Sequence, residues 1–148
     1  MTDLPELRNA YRLNKAQLLK TLESGSSARD LRATLQALAR LADDLLRILW
    51  RDAGFGAPFA LAAVGGFGRG ELFPQSDVDV LLLLPDGTSP DTDAALKTRI
   101  ETFIGSCWDV GLEIGSSVRT LADCVAEAAK DVTVQTSLLE ARLIDGDA

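Results

Sequence analysis

Two groups of residues in the middle of the chain could do chemistry together. Gly65 and Gly66 form a glycine pair, and Asp77 and Asp79 follow with a single valine between them. Because glycine has no side chain, its backbone N–H can approach a phosphate closely. Paired carboxylates are common ligands of a divalent cation. The spacing therefore raises the question of whether one site holds both phosphate and metal.

The glycine-rich segment GGFGRGE does not match three common binding motifs. It lacks the Gly-Lys-Ser/Thr ending of a P-loop. Pro74, and the strand expected from about Asp77, leave no room for the helix that follows a dinucleotide-binding turn. Val78 and Val80 alternate around Asp79 as in a strand, whereas a calcium loop would continue with polar ligands. A different kind of site is required.

The two aspartates fit a metal site on a strand. Residues i and i+2 of a strand face the same side, about 6.5–7 Å apart, so Asp77 and Asp79 should project together while Val78 and Val80 enter the core. Two carboxylates on one face repel each other unless a cation lies between them. The alternative is that they merely begin a strand, where aspartate beside a buried leucine run is unfavourable.

Neighbouring residues would complete a metal–triphosphate site. Gly65 and Gly66 would bring backbone amides to the phosphates, and a short helical segment from about Arg69 would point its N-terminus at the same anion. Arg69 could clamp a phosphate oxygen, and Ser76 could donate a hydrogen bond beside the metal. The matching reaction is in-line nucleotidyl transfer, in which Mg²⁺ ions, two of them by expectation, activate the attacking oxygen and stabilise the leaving pyrophosphate.

Composition narrows the class of protein. The 148 residues carry a net charge of −7 and a pI near 4.5, so we expect no nucleic acid or membrane partner, since both need a basic face. Histidine is absent, which leaves oxygen ligands for any metal. We expect a cytoplasmic protein because no signal or membrane-spanning pattern is visible. Cys107 and Cys124 should be buried and reduced, with a disulfide as the alternative.

Hydrophobic periodicity predicts an α+β fold, in which helices precede and follow a small mixed sheet. We divide the chain into an N-terminal helical segment, 1–54, and a core with trailing helices, 55–148, within one compact domain. We expect this domain to be the N-terminal part of a longer enzyme, with a short complete protein as the alternative. Trp50 and Trp108 should pack in the core or between helices. The expected helices cover 3–23, 27–52, 94–111, 120–131 and 132–144, and the expected strands cover 58–66, 77–85 and 112–119.

The segment VGGFGRGELFPQSDVDVLLLL resembles the DNA polymerase β-like nucleotidyltransferase superfamily. With WDVGLEIGSSVRTLADC and DVTVQTSLLEARLIDG, it resembles more specifically the N-terminal catalytic domain of the bifunctional uridylyltransferase/uridylyl-removing enzymes that modify the PII nitrogen-signalling protein. The resemblance covers about 59–146. It implies a mixed sheet of the polymerase β-like type. It also implies that this chain corresponds to the transferase domain alone, without the hydrolase and glutamine-sensing domains of complete members.

The resemblance implies transfer of UMP from UTP to a tyrosine hydroxyl of PII, with Mg²⁺ and release of pyrophosphate. Asp77 and Asp79 match the family's metal aspartates. Glu113, between two apolar residues, is the candidate for its third carboxylate, and the alternative is an exposed glutamate on an edge strand. Where the family reads Gly-His-Ser-Val-Arg-Thr, this chain has Ser116 in place of histidine. Two alternatives stay open: another nucleotidyltransferase, such as a glutamine synthetase adenylyltransferase, or a catalytically silent nucleotide-binding or docking module.

Overall fold

Two long helices precede the sheet in the computed structural model, which describes residues 3–23, 28–55, 59–72, 77–130 and 141–146. α1 spans Leu4–Glu23 and α2 spans Ala28–Asp52, as predicted. Asp3 Oδ1 accepts a hydrogen bond of 3.3 Å from the Glu6 backbone N–H, so Asp3 caps the start of α1. Within the described ranges, no helix combines the length and the apolar character that a membrane span requires.

The described part of the chain forms a four-stranded mixed sheet with the order β3-β2-β1-β4. β1 is antiparallel to both β2 and β4, whereas β2 and β3 are parallel. This arrangement confirms the α+β class and the small mixed sheet expected from the sequence. The strands are β1 Ala60–Ala63, β2 Val78–Leu84, β3 Ile114–Thr120 and β4 Arg142–Gly146.

Three further helices connect the strands. A single turn, α3 (Gly65–Gly68), follows β1 directly. α4 (Ala94–Asp109) crosses from β2 to β3, which a parallel pair requires. α5 (Leu121–Ala128) begins at a capping box, in which the Thr120 and Asp123 side chains each accept a hydrogen bond from the other residue's backbone N–H. The helix expected over 120–131 is therefore confirmed at its start, where a local capping signal fixes it.

The helix predicted over 132–144 is wrong at its end. Arg142 and Leu143 pair with Ala63 and Ala62 as part of β4, and residues 131–140 lie outside the described part of the chain. The backbone groups on the outer edge of β1 need partners, and pairing with β4 supplies them. A short apolar run fits helix and strand equally well, so its period could not separate the two.

One core joins α2 and α4 to the sheet. Trp50 on α2 is 1% exposed, and its ring stacks on Phe55 at 4.1 Å and meets Phe103 of α4 edge-on at 5.3 Å. The packing role predicted for Trp50 is therefore confirmed. Trp108 is 54% exposed, so the same prediction for it is wrong. It follows the buried Cys107 directly, and one residue along a helix turns a side chain away by about 100°.

The division of the chain into a helical segment, 1–54, and a core, 55–148, stays a prediction.

Both cysteines are buried free thiols, so the predicted reduced state is confirmed and the disulfide alternative is wrong. Burial raises the pKa of the Cys107 thiol to about 12. Because the thiolate is the nucleophile and this pKa leaves roughly 1000-fold less of it than in the unfolded chain, iodoacetamide should modify native Cys107 more slowly by about that factor. Mass spectrometry of peptides alkylated at mildly alkaline pH, with and without guanidinium chloride, measures the ratio. Equal rates would contradict this burial.

Candidate nucleotide and metal site

The two aspartates stand at the beginning of β2. Val78 and Val80 are buried, as predicted, while Asp79 is half-buried and Asp77 is exposed. Because side chains alternate along a strand, Asp77 and Asp79 lie on the face of the sheet opposite the two valines. Both carboxylates therefore lie on one face of β2, and the buried Val78 and Val80 on the opposite face hold the strand in the core.

The carboxylates are close enough to influence each other. Burial raises the pKa of Asp79 above its ordinary value, and the negative charge of Asp77 raises it further. Keeping Asp79 ionised at neutral pH therefore costs free energy in the bare chain. A divalent cation between the two groups would remove that cost, and carboxylate oxygens are the ligands that Mg²⁺ prefers. The residues present fit such an ion.

The glycine turn lies directly against the Asp79 carboxylate. Gly65 has φ +62°, in the left-handed region, and a Cβ placed on it would lie 3.1 Å from Asp79 Oδ2. The Val64 N–H also donates to the Asp79 carbonyl at 3.1 Å. The glycine pair and the aspartate pair therefore belong to one place in the fold, which answers the question that their spacing raised.

The helical segment expected from about Arg69 begins earlier, at Gly65. The Gly68 N–H donates to the Val64 carbonyl at 3.0 Å, so the glycines themselves form the helical turn. Glycine tolerates the left-handed residue that leads into this turn. The turn therefore begins at the residue that lies against the Asp79 carboxylate, and successive backbone N–H groups in a turn are a common binding site for phosphate.

Gly115 is a site residue that the sequence reasoning missed. It pairs with Asp79 across the parallel strands, and a Cβ on it would lie 2.8 Å from Asp79 Oδ1. The Asp79 carboxylate is thus held between two glycine backbones, Gly65 on one side and Gly115 on the other. An isolated glycine inside a predicted strand was the available signal, since it often marks a close approach of another group.

Three of the residues predicted for the site remain: Ser76, Arg69 and Glu113. Ser76 lies outside the described residues, and Arg69 is an exposed residue just after α3, so their roles stay predictions. Glu113 precedes β3, and its carbonyl accepts a hydrogen bond of 2.9 Å from the Val78 N–H. Extending the register by one residue places Glu113 beside Asp77 on the same face.

Glu113 is nevertheless not gathered into a preformed cluster with the aspartates. Across the part of the chain that the structure describes, no three aspartate, glutamate or cysteine side chains are grouped so as to hold a metal ion. Glu113 is exposed at the edge of the sheet. Its role as third carboxylate therefore stays a prediction, which would need its side chain to turn toward Asp77.

Ser116 lies on the other face of the sheet. It pairs with Val80, whose side chain is buried in the core, while its neighbour Gly115 pairs with Asp79. Side-chain alternation therefore turns Ser116 away from the carboxylates and turns Ser117 toward them. The position where this chain departs from the family pattern does not face Asp79.

Residues 44–136 match the family model described as nucleotidyltransferase domain. The chain is 55% identical over 139 residues to the bifunctional uridylyltransferase/uridylyl-removing enzyme of Burkholderia vietnamiensis, covering 94% of this chain and 15% of that protein. The protein of the same name from Ralstonia nicotianae is 53% identical over 140 residues, covering 95% of this chain and 15% of that protein.

These comparisons confirm the resemblance inferred from the motifs. The chain spans only 15% of the length of these relatives, so it is similar to one part of them. The matched residues 44–136 include β1, α3, β2, α4, β3 and α5, and with them both aspartates and the two glycines, Gly65 and Gly115, that lie against the Asp79 carboxylate. The chain belongs to the nucleotidyltransferase domain family.

Proposed function

We propose that this chain transfers UMP from UTP to a tyrosine hydroxyl of a PII-type signalling protein in the cytoplasm, with Mg²⁺ and release of pyrophosphate. The observation that supports it best is the position of the Asp79 carboxylate. It lies against the backbones of Gly65 and Gly115, with Asp77 on the same face of the sheet. The names of the relatives supply the uridylyl group.

Each residue has a distinct part in this proposal. Asp77 and Asp79 hold Mg²⁺, with Glu113 as the third carboxylate, and the amides of Gly65 and Gly66 receive the phosphates. Arg69 and Ser76 add contacts to phosphate oxygens. When bound, Mg²⁺ supplies charge neutralisation and activation of the attacking oxygen. The chain has no histidine, so the group assigned to accept the hydroxyl proton in this proposal is a carboxylate of the site.

The reaction is a single displacement at the α-phosphorus of UTP. The tyrosine oxygen forms the new bond to phosphorus, and the bond to the bridging oxygen of pyrophosphate breaks with its electron pair leaving on pyrophosphate. The hydroxyl proton passes to a carboxylate of the site. The chain binds and orients UTP and the tyrosine, and its bound cation neutralises phosphate charge. Most of the rate enhancement is therefore expected from positioning and electrostatics.

Incubation of the chain with PII, Mg²⁺ and each labelled nucleoside triphosphate in turn tests the proposal, with Asp79→Ala as the matched inactive variant. Label should pass from UTP to PII with the native residue and not with alanine. Transfer from ATP to glutamine synthetase instead would favour the adenylyl alternative. Mg²⁺-dependent UTP binding by calorimetry without any transfer would identify a silent nucleotide-binding module.

A further inference from the structure

Arg142 connects the glycine turn to two other elements. It begins β4, beside Ala63 of β1. Its guanidinium donates to both Asp43 oxygens, at 2.6 and 3.1 Å, and Nη2 also donates to the Phe67 carbonyl of α3 at 3.0 Å. Its charged carbon lies 5.3 Å from the centroid of the Phe67 ring. One side chain thus joins α2, β4 and the glycine turn.

The pairing of Arg142 with Asp43 is strongly constrained. Asp43 is only 6% exposed, and a buried carboxylate without a cationic partner would be costly. In the described part of the chain, the buried Arg142 Nε has no hydrogen-bond partner. The other two nitrogens donate to Asp43 and to the Phe67 carbonyl, so these bonds set the orientation of the guanidinium.

The glycine turn has few side chains with which to hold its own position. Three of the four residues of α3 are glycine, and Phe67 is the fourth. Phe67 is buried, and its carbonyl accepts from the Gly70 N–H at 3.0 Å as well as from Arg142. Since glycine is conformationally permissive, contacts from outside the turn must set the direction of its amides.

We propose that Arg142 is a positioning residue that fixes the glycine turn, through Phe67, for the phosphates of the nucleotide. This inference rests on the proposed function of the same turn. The contacts of Arg142 described above are with Asp43 and Phe67 and include neither Asp77 nor Asp79. Arg142 therefore acts on the site through the backbone of the glycine turn. Asp43 fixes the guanidinium in turn.

The test compares Arg142→Lys with Arg47→Lys in the 148-residue chain. Lysine keeps the charge beside Asp43, but a single ammonium cannot replace the planar fork that serves Asp43 and Phe67 together. Arg47 is a matched control: it is similarly exposed, 36% against 31%, and links α2 to β4 through the Ile144 carbonyl at 3.0 Å. Its contacts described here do not include the glycine turn.

Two quantities are measured for each variant: the dissociation constant for UTP with Mg²⁺ by calorimetry, and amide hydrogen exchange of the peptide covering 64–70. In Arg142→Lys, UTP should bind about tenfold more weakly, as expected for loss of one charge-assisted hydrogen bond. Exchange in the turn should be faster by about the same factor. Arg47→Lys should change neither quantity, even if both variants lose thermal stability.

Unchanged exchange in the turn of Arg142→Lys would overturn the inference, and so would faster exchange with unchanged UTP affinity. If the native chain binds no UTP, the proposed function fails, and exchange alone then supports or overturns the hold of Arg142 on the turn. If Arg142→Lys does not fold, Asp43→Asn, which keeps the shape of the pair and removes its charge, is measured in the same way.

Discussion

Replacing Asp79 with asparagine should abolish metal-dependent transfer and make the metal-free chain more stable. Loss of a metal ligand should cost more than about 100-fold in rate, because even groups behind a ligand are worth 10–100-fold. The gain in stability follows from the pKa of Asp79, which burial raises first and the charge of Asp77 raises further. At neutral pH the folded chain must keep this carboxylate ionised at a cost, and asparagine removes the charge.

The sign of the pH dependence follows from the same shift. The cost of an ionised Asp79 is present above its folded-state pKa and disappears below its unfolded-state pKa. The stability advantage of Asp79→Asn should therefore shrink as the pH falls through that window. Thermal unfolding in the presence of a chelator at neutral and acidic pH measures it, and transfer to PII measures the loss of activity.

Asp91→Asn is the control for this prediction, because Asp91 is an exposed carboxylate in the loop before α4. It should change neither the transfer rate nor the thermal stability at neutral pH. An Asp79→Asn variant that is less stable than the native chain without metal would show that Asp79 is held by favourable contacts. Retained transfer would remove Asp79 from the metal site.

Distance along the chain largely decides which features the sequence can predict. The glycine turn and the aspartates lie on consecutive elements, and strand alternation alone places Asp77 and Asp79 on one face. The capping box at Thr120 is equally local. Short-range patterns are therefore enough to predict these features, and hydrophobic periodicity is enough to predict the α+β class and the small mixed sheet.

The features that were missed depend on contacts between distant segments. The approach of Gly115 to Asp79 depends on the register between β2 and β3, and no local pattern fixes that register. The pairing of Arg142 with Asp43 depends on β4, where a helix was predicted. The exposure of Trp108 depends on which stripe of α4 faces the sheet. Tertiary packing made each of these choices.

Gly115→Ala should separate the geometry of the site from the stability of the fold. Gly115 does not have a positive φ, so its strand conformation accepts alanine, and the unfolded chain loses entropy. The new Cβ would lie 2.8 Å from Asp79 Oδ1, a distance that cannot persist. The carboxylate is the end of a flexible side chain, so it should rotate away and leave the backbone in place.

The expected result is a loss of about 100-fold in transfer, the penalty typical of a reacting group misplaced by about 1 Å. The midpoint of thermal unfolding should stay the same or rise. Gly105→Ala is the matched control, because a Cβ on this exposed glycine of α4 meets nothing within 4 Å. It should add up to about 1 kcal/mol of stability and leave transfer unchanged. Full activity in Gly115→Ala would mean that the reaction does not need the Asp79 carboxylate in the position between the two glycines. A large loss of stability would mean that the strands move apart, rather than the Asp79 side chain rotating.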